Sequence, residues 1–244
     1  MFRPIPILLA TAVAVCPLSA YAAVVIGGTR VVFPASSRDV SVRVENKGDD
    51  PALVQVWIDD GDELSTPSTA RAPFAITPPL FRIDPGQRHA LRIVHVGDEN
   101  PRDREALYWL NVLEIPPRAT GANDKNVLQL AFRHRLKLFH RPQGLPEPSD
   151  RAAATLRWSI EKDAGTPRLR VTNPSPYHVS FNSVQLPGGT DGKPVMLGGG
   201  MVKPGGSTHF SLSRSTPATA FTKVAFVTIN DFGAAIGGSA AIGP

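Results

Sequence analysis

Asn126-Val127-Leu128-Gln129-Leu130-Ala131-Phe132-Arg133-His134-Arg135-Leu136-Lys137 alternates apolar and polar residues and ends on a cation. Period-two alternation marks a β-strand with one apolar face. Leu128, Leu130 and Phe132 share one parity with Leu136 and Leu138 beyond the basic turn, and Val127 stands off it. A one-residue slip would turn that whole set to water, so the register is firmly specified. The pattern predicts a strand over residues 127–140, well beyond the usual length of about five or six residues. Such a length suits pairing beyond the parent domain, because a sheet edge with unpaired backbone can donate or accept a strand.

Upstream, the same alternation predicts strands at 24–26, 30–33, 39–46, 52–59, 74–77, 80–83, 89–95 and 106–115. Turn chemistry separates them: Asn46-Lys47-Gly48-Asp49-Asp50-Pro51, Asp59-Asp60-Gly61, Asp84-Pro85-Gly86 and Pro116-Pro117 supply residues that tolerate positive φ or preset a bend. Short strands at this spacing predict an antiparallel sandwich. The stretch Arg141-Pro142-Gln143-Gly144-Leu145-Pro146-Glu147-Pro148 then reads as a linker. Beyond it, strands at 155–162, 168–173, 179–186, 195–197, 208–212 and 223–230 predict a second, smaller β domain. The tail 231–244, rich in Gly and Ala, reads as a poorly ordered or loosely paired terminus. Gly198-Gly199-Gly200 is a loop signal without the context of a phosphate cradle, and no segment has the period of a helix.

The chain opens on Arg3, an apolar run from Ile5 to Val15, and the small-residue site Ala20-Tyr21-Ala22. That is the pattern of a secretory signal over residues 1–22, too short for a permanent membrane anchor. Cleavage there would remove Cys16, the one cysteine, and Arg3, taking the net charge from +5 to +4. A secreted chain without thiols must be held by its core alone, which a chain of this length can manage. The scattered cations, without a stacking-aromatic cluster or a recognition motif, speak against nucleic acid as a partner. The six histidines, His89, His95, His134, His140, His178 and His209, form no ligand pair of metal-site spacing, and no serine sits in a nucleophile elbow. No cofactor, metal or catalysis is expected.

Set in order along both domains, Thr29-Arg30-Val31-Val32-Phe33, Thr77-Pro78-Pro79, Arg82-Ile83-Asp84-Pro85-Gly86, Arg104-Glu105, Glu114-Ile115-Pro116-Pro117, Asn126-Val127-Leu128-Gln129, Leu136-Lys137-Leu138-Phe139-His140-Arg141-Pro142, Asn173-Pro174 and Ile229-Asn230-Asp231-Phe232-Gly233 resemble the periplasmic pilus chaperones of the chaperone/usher pathway. The short segment between Pro117 and Asn126, with no mature cysteine pair, resembles the short-loop subfamily. The resemblance implies an all-β protein of two immunoglobulin-like sandwiches in a boomerang, with a leader at 1–22, a first domain at 23–140, a linker at 141–148 and a second domain at 149–244. It implies a periplasmic chaperone that caps pilus subunits by donor-strand complementation, a known form of β-augmentation, and delivers them to an outer-membrane usher without ATP. Val127, Leu128, Leu130 and Phe132 would fill the groove of an incomplete subunit, and Arg30 and Lys137 would hold its terminal carboxylate. Glu105, Arg141 and Asp231 would form an ion network across the hinge. On spacing alone these would be read as surface charges.

Two departures stand out. His140 occupies a position where the family suggests an aromatic ring, adding a titratable group, and Arg133-His134-Arg135 is unusually basic for a donor strand, a feature that could tune subunit choice. An apolar edge left free is an aggregation hazard, and self-association of two copies through it is one way to cover it. The alternative function is a secreted two-domain sandwich that binds another extended protein ligand, for which Arg30 and Lys137 would be dispensable. A secreted metal-binding enzyme is the third class, and it would require a stoichiometric ion.

Overall fold

The computed structural model describes residues 23–97, 100–117, 129–163, 165–188, 192–213 and 221–243. The leader at 1–22 and residues 118–128, which include the segment between Pro117 and Asn126 and also Val127 and Leu128, lie outside them.

The first sandwich packs a four-stranded sheet on a five-stranded one. The smaller has the order β1 (Val24–Ile26), β3 (Asp39–Asn46), β7 (Arg88–His95), β5 (Phe74–Thr77), and the larger β2 (Arg30–Pro34), β9 (Phe132–Arg141), β8 (Ala106–Ile115), β4 (Ala52–Asp59), β6 (Leu80–Ile83). Alternation decides what each strand buries: Val42 and Val44, Val54 and Val56, Leu91 and Ile93, Leu110 and Val112 meet in one core. Each such side chain contributes about 1.5–3 kcal/mol over its exposed state. The N-terminal segment serves both sheets. It pairs antiparallel with β3 as β1, crosses over at Gly27-Gly28, and pairs parallel with β9 as β2. Gly28 makes the crossing at φ +145°, a backbone angle that side chains resist.

The second sandwich has strand order β13 (Val195–Val202), β12 (Val179–Leu186), β15 (Lys223–Ile229), β16 (Ala235–Gly243), β10 (Arg157–Asp163), β11 (Thr166–Thr172), β14 (Ser207–Ser211). Its core gathers Leu169, Val171, Val184, Leu186 and Val224 around Trp158, which stacks on Phe226 at 5.4 Å and meets Phe181 edge-on at 5.6 Å.

Four expectations are corrected. The long strand begins at Phe132 rather than 127, because Phe132 pairs with Glu114 and β8 stops at Ile115 before Pro116-Pro117. The alternation outruns its partner, leaving Leu130 outside the strand and 50% exposed. The glycine-rich tail is no loose end. As β16 it lies between β15 and β10, and a Cβ at Gly238 would come within 2.5 Å of the Phe226 ring. Gly198, Gly199 and Gly200 sit inside β13 at an irregular register against β12, where a Cβ at Gly199 would come within 2.9 Å of two β12 carbonyls. A 3-10 helix at Ser149–Thr155 opens the second sandwich, too short to leave a periodic signal.

Candidate functional site: an open strand edge and a cation pair in the cleft

β9 is paired unevenly. β8 runs along one side from Phe132 to His140, whereas β2 covers the other only from Lys137 onward. Phe132, Arg133, His134, Arg135 and Leu136 are therefore paired on one side. Parity divides the strand by face: Leu136 and Leu138 point into the core, and Arg133, Arg135 and Lys137 take the outer one. Of the groove residues expected from sequence, Phe132 is half-buried at the start of β9 and Leu130 stands free of the sheet. Gln129, immediately before Leu130, donates its side-chain amide to the carbonyls of Pro116 and Pro117.

The parallel register sets Arg30 directly beside Lys137. Arg30 Nη1 donates to the Ile229 carbonyl at 2.9 Å, and its guanidinium lies 5.7 Å from the centre of the Phe139 ring. Lys137 Nζ donates to Ser180 Oγ at 3.1 Å. Among the described residues neither cation has a carboxylate in ion-pair contact. Burial pushes the Arg30 pKa down, partly offset by Asp231 and Glu105. Burial, then the charge of Arg30, pushes the Lys137 pKa down as well. Two half-buried cations thus stand side by side, short of negative charge, at the end of the open edge. Arg30 also lines a cleft of about 410 Å³ between the sandwiches, walled by Phe139, Arg141, Ile229, Asp231, Phe232 and Ile236 among others. Phe232 is 92% exposed at its rim.

Glu105, Arg141 and Asp231 are brought together at the hinge. Arg141 Nε donates to Glu105 Oε1 at 2.8 Å, and its Nη1 and Nη2 donate to the two carboxylate oxygens of Asp231 at 2.6 and 2.9 Å. This fork-on-carboxylate geometry is open to arginine and not to lysine. Ser149 Oγ donates to Asp231 at 2.9 Å, and the backbone N–H of His178 donates to Glu105 Oε2 at 2.8 Å. At Asp231 burial opposes the charge, but the hydrogen bonds and charge of Arg141 win and hold its pKa below the usual carboxylate value. At Arg141 burial is likewise outweighed by Asp231 and Glu105, and its pKa is raised. Sequence reasoning missed Ser149, His178 and Ser180: the last two meet partners across the hinge, Ser149 meets Asp231 from the start of the second sandwich, and none has a local signal.

His140 takes its place in an aromatic cluster. It is 5% exposed, stacks on His95 with ring centres 4.7 Å apart, and lies 6.0 Å from Phe33 and 6.2 Å from Phe74. Its Nδ1 is buried without a hydrogen-bond partner. Asn100 Nδ2 lies 2.6 Å from His95 Nε2, and Tyr108 donates to Asn100. Burial, then the neighbouring His95, pushes the His140 pKa below the ordinary histidine value. The unfolded chain therefore takes up a proton near pH 6.5 that the folded one refuses. This contribution to stability is complete above about pH 6.5 and is lost as the pH falls through the lowered native pKa. His140→Phe should flatten the fall in thermal midpoint between pH 7 and pH 5. An equally steep fall in the variant would remove His140 as its source.

Among the described residues there is no cluster of three His, Cys, Asp or Glu side chains that could hold a metal, and no helix is long and apolar enough to cross a membrane.

The family described as pili and flagellar-assembly chaperone, PapD N-terminal domain, matches residues 23–146, and the pili assembly chaperone PapD C-terminal domain matches residues 151–240. The probable fimbrial chaperone YadV of Escherichia coli K12 is 40% identical over 225 residues, covering 91% of each chain. Among solved structures, the CupB2 chaperone of Pseudomonas aeruginosa superimposes with a TM-score of 0.74 at 39% identity, over 90% of this chain and 100% of that one. The SafB chaperone of Salmonella enterica, solved in complex with the SafA pilin, does so with a TM-score of 0.75 at 29% identity, over 90% of this chain and 96% of that one. Two matched domains in the right order, on two sandwiches that meet at an ion-paired hinge, establish that the chain belongs to the PapD family of pilus-assembly chaperones.

Proposed function

We propose that the protein holds incomplete pilus subunits by donating β9 and passes them to an outer-membrane usher. The observation that carries this is the one-sided edge over Phe132–Leu136, running straight into the Arg30–Lys137 pair. A subunit that lacks its last strand has an open groove and unpaired edges, and it aggregates when left alone. β9 offers backbone groups to that edge, and Leu128, Leu130 and Phe132, which share one parity, offer apolar side chains to the groove, each contributing about 1.5–3 kcal/mol before ordering costs. The terminal carboxylate of the subunit enters the cleft, where it would cost several kcal/mol unpaired; Arg30 and Lys137 neutralise it.

Release needs no nucleotide. An incoming subunit's extension exchanges with β9 bond for bond at the usher. The Glu105–Arg141–Asp231 network fixes the angle between a first domain at 23–140 and a second at 149–244, across the linker 141–148. Each of the two has its own core. The protein acts by binding and not by catalysis, in the periplasm, a reading supported by the leader pattern at 1–22 and by the family's chaperone description.

Co-expression with a pilus subunit encoded beside this chain tests the reading. Wild type should yield a soluble one-to-one complex. Leu130→Asp and Phe132→Asp, which carry a charge into the groove, should lower its yield about tenfold or more. If wild type captures no pilus subunit yet retains another extended protein, the alternative binding module takes precedence.

A further inference from the structure

Asp59 is the least expected charge in the first sandwich. It lies on the outer face of the larger sheet, away from the core, and is nonetheless fully buried. One carboxylate oxygen accepts from the Gly61 N–H at 2.8 Å and from Arg135 Nη2 at 2.7 Å. The other accepts from Ser65 Oγ at 3.0 Å and Asn111 Nδ2 at 2.7 Å. Ser65 in turn accepts from Trp57 Nε1 at 3.1 Å. Arg133 donates twice to Asn111 Oδ1, at 2.7 and 2.9 Å, and to the Glu63 carbonyl at 2.9 Å, with its guanidinium 4.8 Å from the Trp57 ring centre. Arg135 lies 4.3 Å over Trp109, a ring that Lys137 also approaches at 6.0 Å. At Asp59 burial opposes the charge, but the hydrogen bonds, that of Arg135 foremost, hold its pKa below the usual value.

The basic run expected to tune subunit choice is therefore committed internally. Every partner of the cluster comes from β4, β8, β9 or the segment after β4, and the side chains that tie it to β9 belong to Arg133 and Arg135. Those residues lie within the stretch whose second backbone edge is unpaired. A strand paired on one side frays, and fraying costs ordering free energy each time a partner is bound. Side chains gripped on the outer face restrain the strand while leaving its free N–H and C=O groups open. Stability alone does not call for such a cluster, since well-packed apolar residues serve a fold at least as well as a buried ion pair.

Resting on the proposed subunit-binding role, we propose that the Asp59–Ser65–Asn111–Arg133–Arg135 cluster is a positioning device that keeps the open edge of β9 in its binding-ready conformation. Asp59→Asn and the milder Ser65→Ala test it by two readouts on the whole chain. Backbone hydrogen exchange should rise about tenfold at those amides of Phe132–Leu136 that bond to β8, while the amides of β3 and β7 keep wild-type protection. Capture of a neighbouring pilus subunit diluted from denaturant should slow by a similar factor. Exchange that rises equally everywhere, or capture at the wild-type rate by both variants, overturns the proposal, the former because the cluster is then a general buttress. Lys137→Ala, measured alongside, separates the two ideas: if it captures normally, the carboxylate site fails while the exchange data still judge the cluster.

Discussion

Lys137→Met should abolish subunit capture while leaving the free protein at least as stable as before. Both halves follow from the same geometry. In the free protein the Lys137 ammonium is half-buried beside Arg30, and its hydrogen bond to Ser180 Oγ is, among the described residues, its one hydrogen bond across the hinge. Burial and the neighbouring guanidinium depress its pKa, so the charged form is a burden on the fold at neutral pH. A methionine of similar reach removes that burden and keeps the stem's packing. In the complex the balance reverses, because the carboxylate then has one cation in place of two. Removing one partner of a buried, hydrogen-bonded charge pair costs about 2–5 kcal/mol, or about 30- to 4,000-fold in affinity. Arg30→Met should bind as poorly but gain less stability, since it also gives up the bond to the Ile229 carbonyl and the approach to Phe139. The pH dependence has a definite sign: capture should weaken as the pH rises through the lowered Lys137 pKa, on the acid side of an ordinary lysine. Thermal midpoints of the free variants, set beside complex yield on co-expression, check both halves. A variant that loses capture and stability together would show that Lys137 is part of the scaffold and not a ligand held in reserve.

What the sequence discloses and what it conceals divide along physical lines. At Asp39–Asn46, Ala52–Asp59 and Ala106–Ile115, each with a partner on both sides and a core beneath, alternation alone gives the bounds. It fails at β9 because periodicity is a property of one strand and pairing is a property of two. Leu130 keeps the beat after β8 has ended. The tail fails for another reason: Gly238 reads as slack, whereas β16 needs a residue without a Cβ there to lie against the Phe226 ring. The adjacency of Arg30 and Lys137 rests on a parallel register between distant segments, which nothing local encodes, so only the family resemblance points to it. Asp59-Asp60-Gly61 is legible as a turn, and Gly61 does donate to Asp59 at φ +123°. The burial of that carboxylate is not legible, because its cover comes from Arg133 and Arg135 far along the chain.

Arg141→Ala should be the most destabilising change at the hinge, and its effect should fall first on the amino-terminal sandwich. The Glu105 side chain is only 2% exposed. Without the guanidinium it keeps the His178 N–H and loses the charge that offsets its burial, a situation that costs about 3–5 kcal/mol. Asp231, one-third exposed, can turn to water and suffers less. The tryptophans divide the measurement, since Trp57 and Trp109 lie in the first sandwich and Trp158 in the second. Single-tryptophan versions of the chain should show the urea midpoint of the first domain falling well below that of the second. Arg141→Lys should recover part of the loss, having the charge but not the fork that reaches both carboxylates. Acid should not mimic the substitution at moderate pH: the Asp231 pKa is lowered, so its share of stability is present above about pH 4 and is lost only as the pH falls through that lower value. The double replacement Arg141→Met with Glu105→Gln separates stability from geometry. With neither charge left to desolvate, the midpoint should return to within about 1–2 kcal/mol of wild type. Nothing would then pin the carboxylate of Asp231 to the end of β9, and the Arg30–Lys137 pair would lose the fixed second sandwich that supplies the Ile229 carbonyl and Ser180. Subunit capture by the double variant should therefore stay low despite its restored stability. Full capture at wild-type yield would mean that the cleft is shaped by the two domains' packing alone and that the ion network serves only to satisfy its own buried charge.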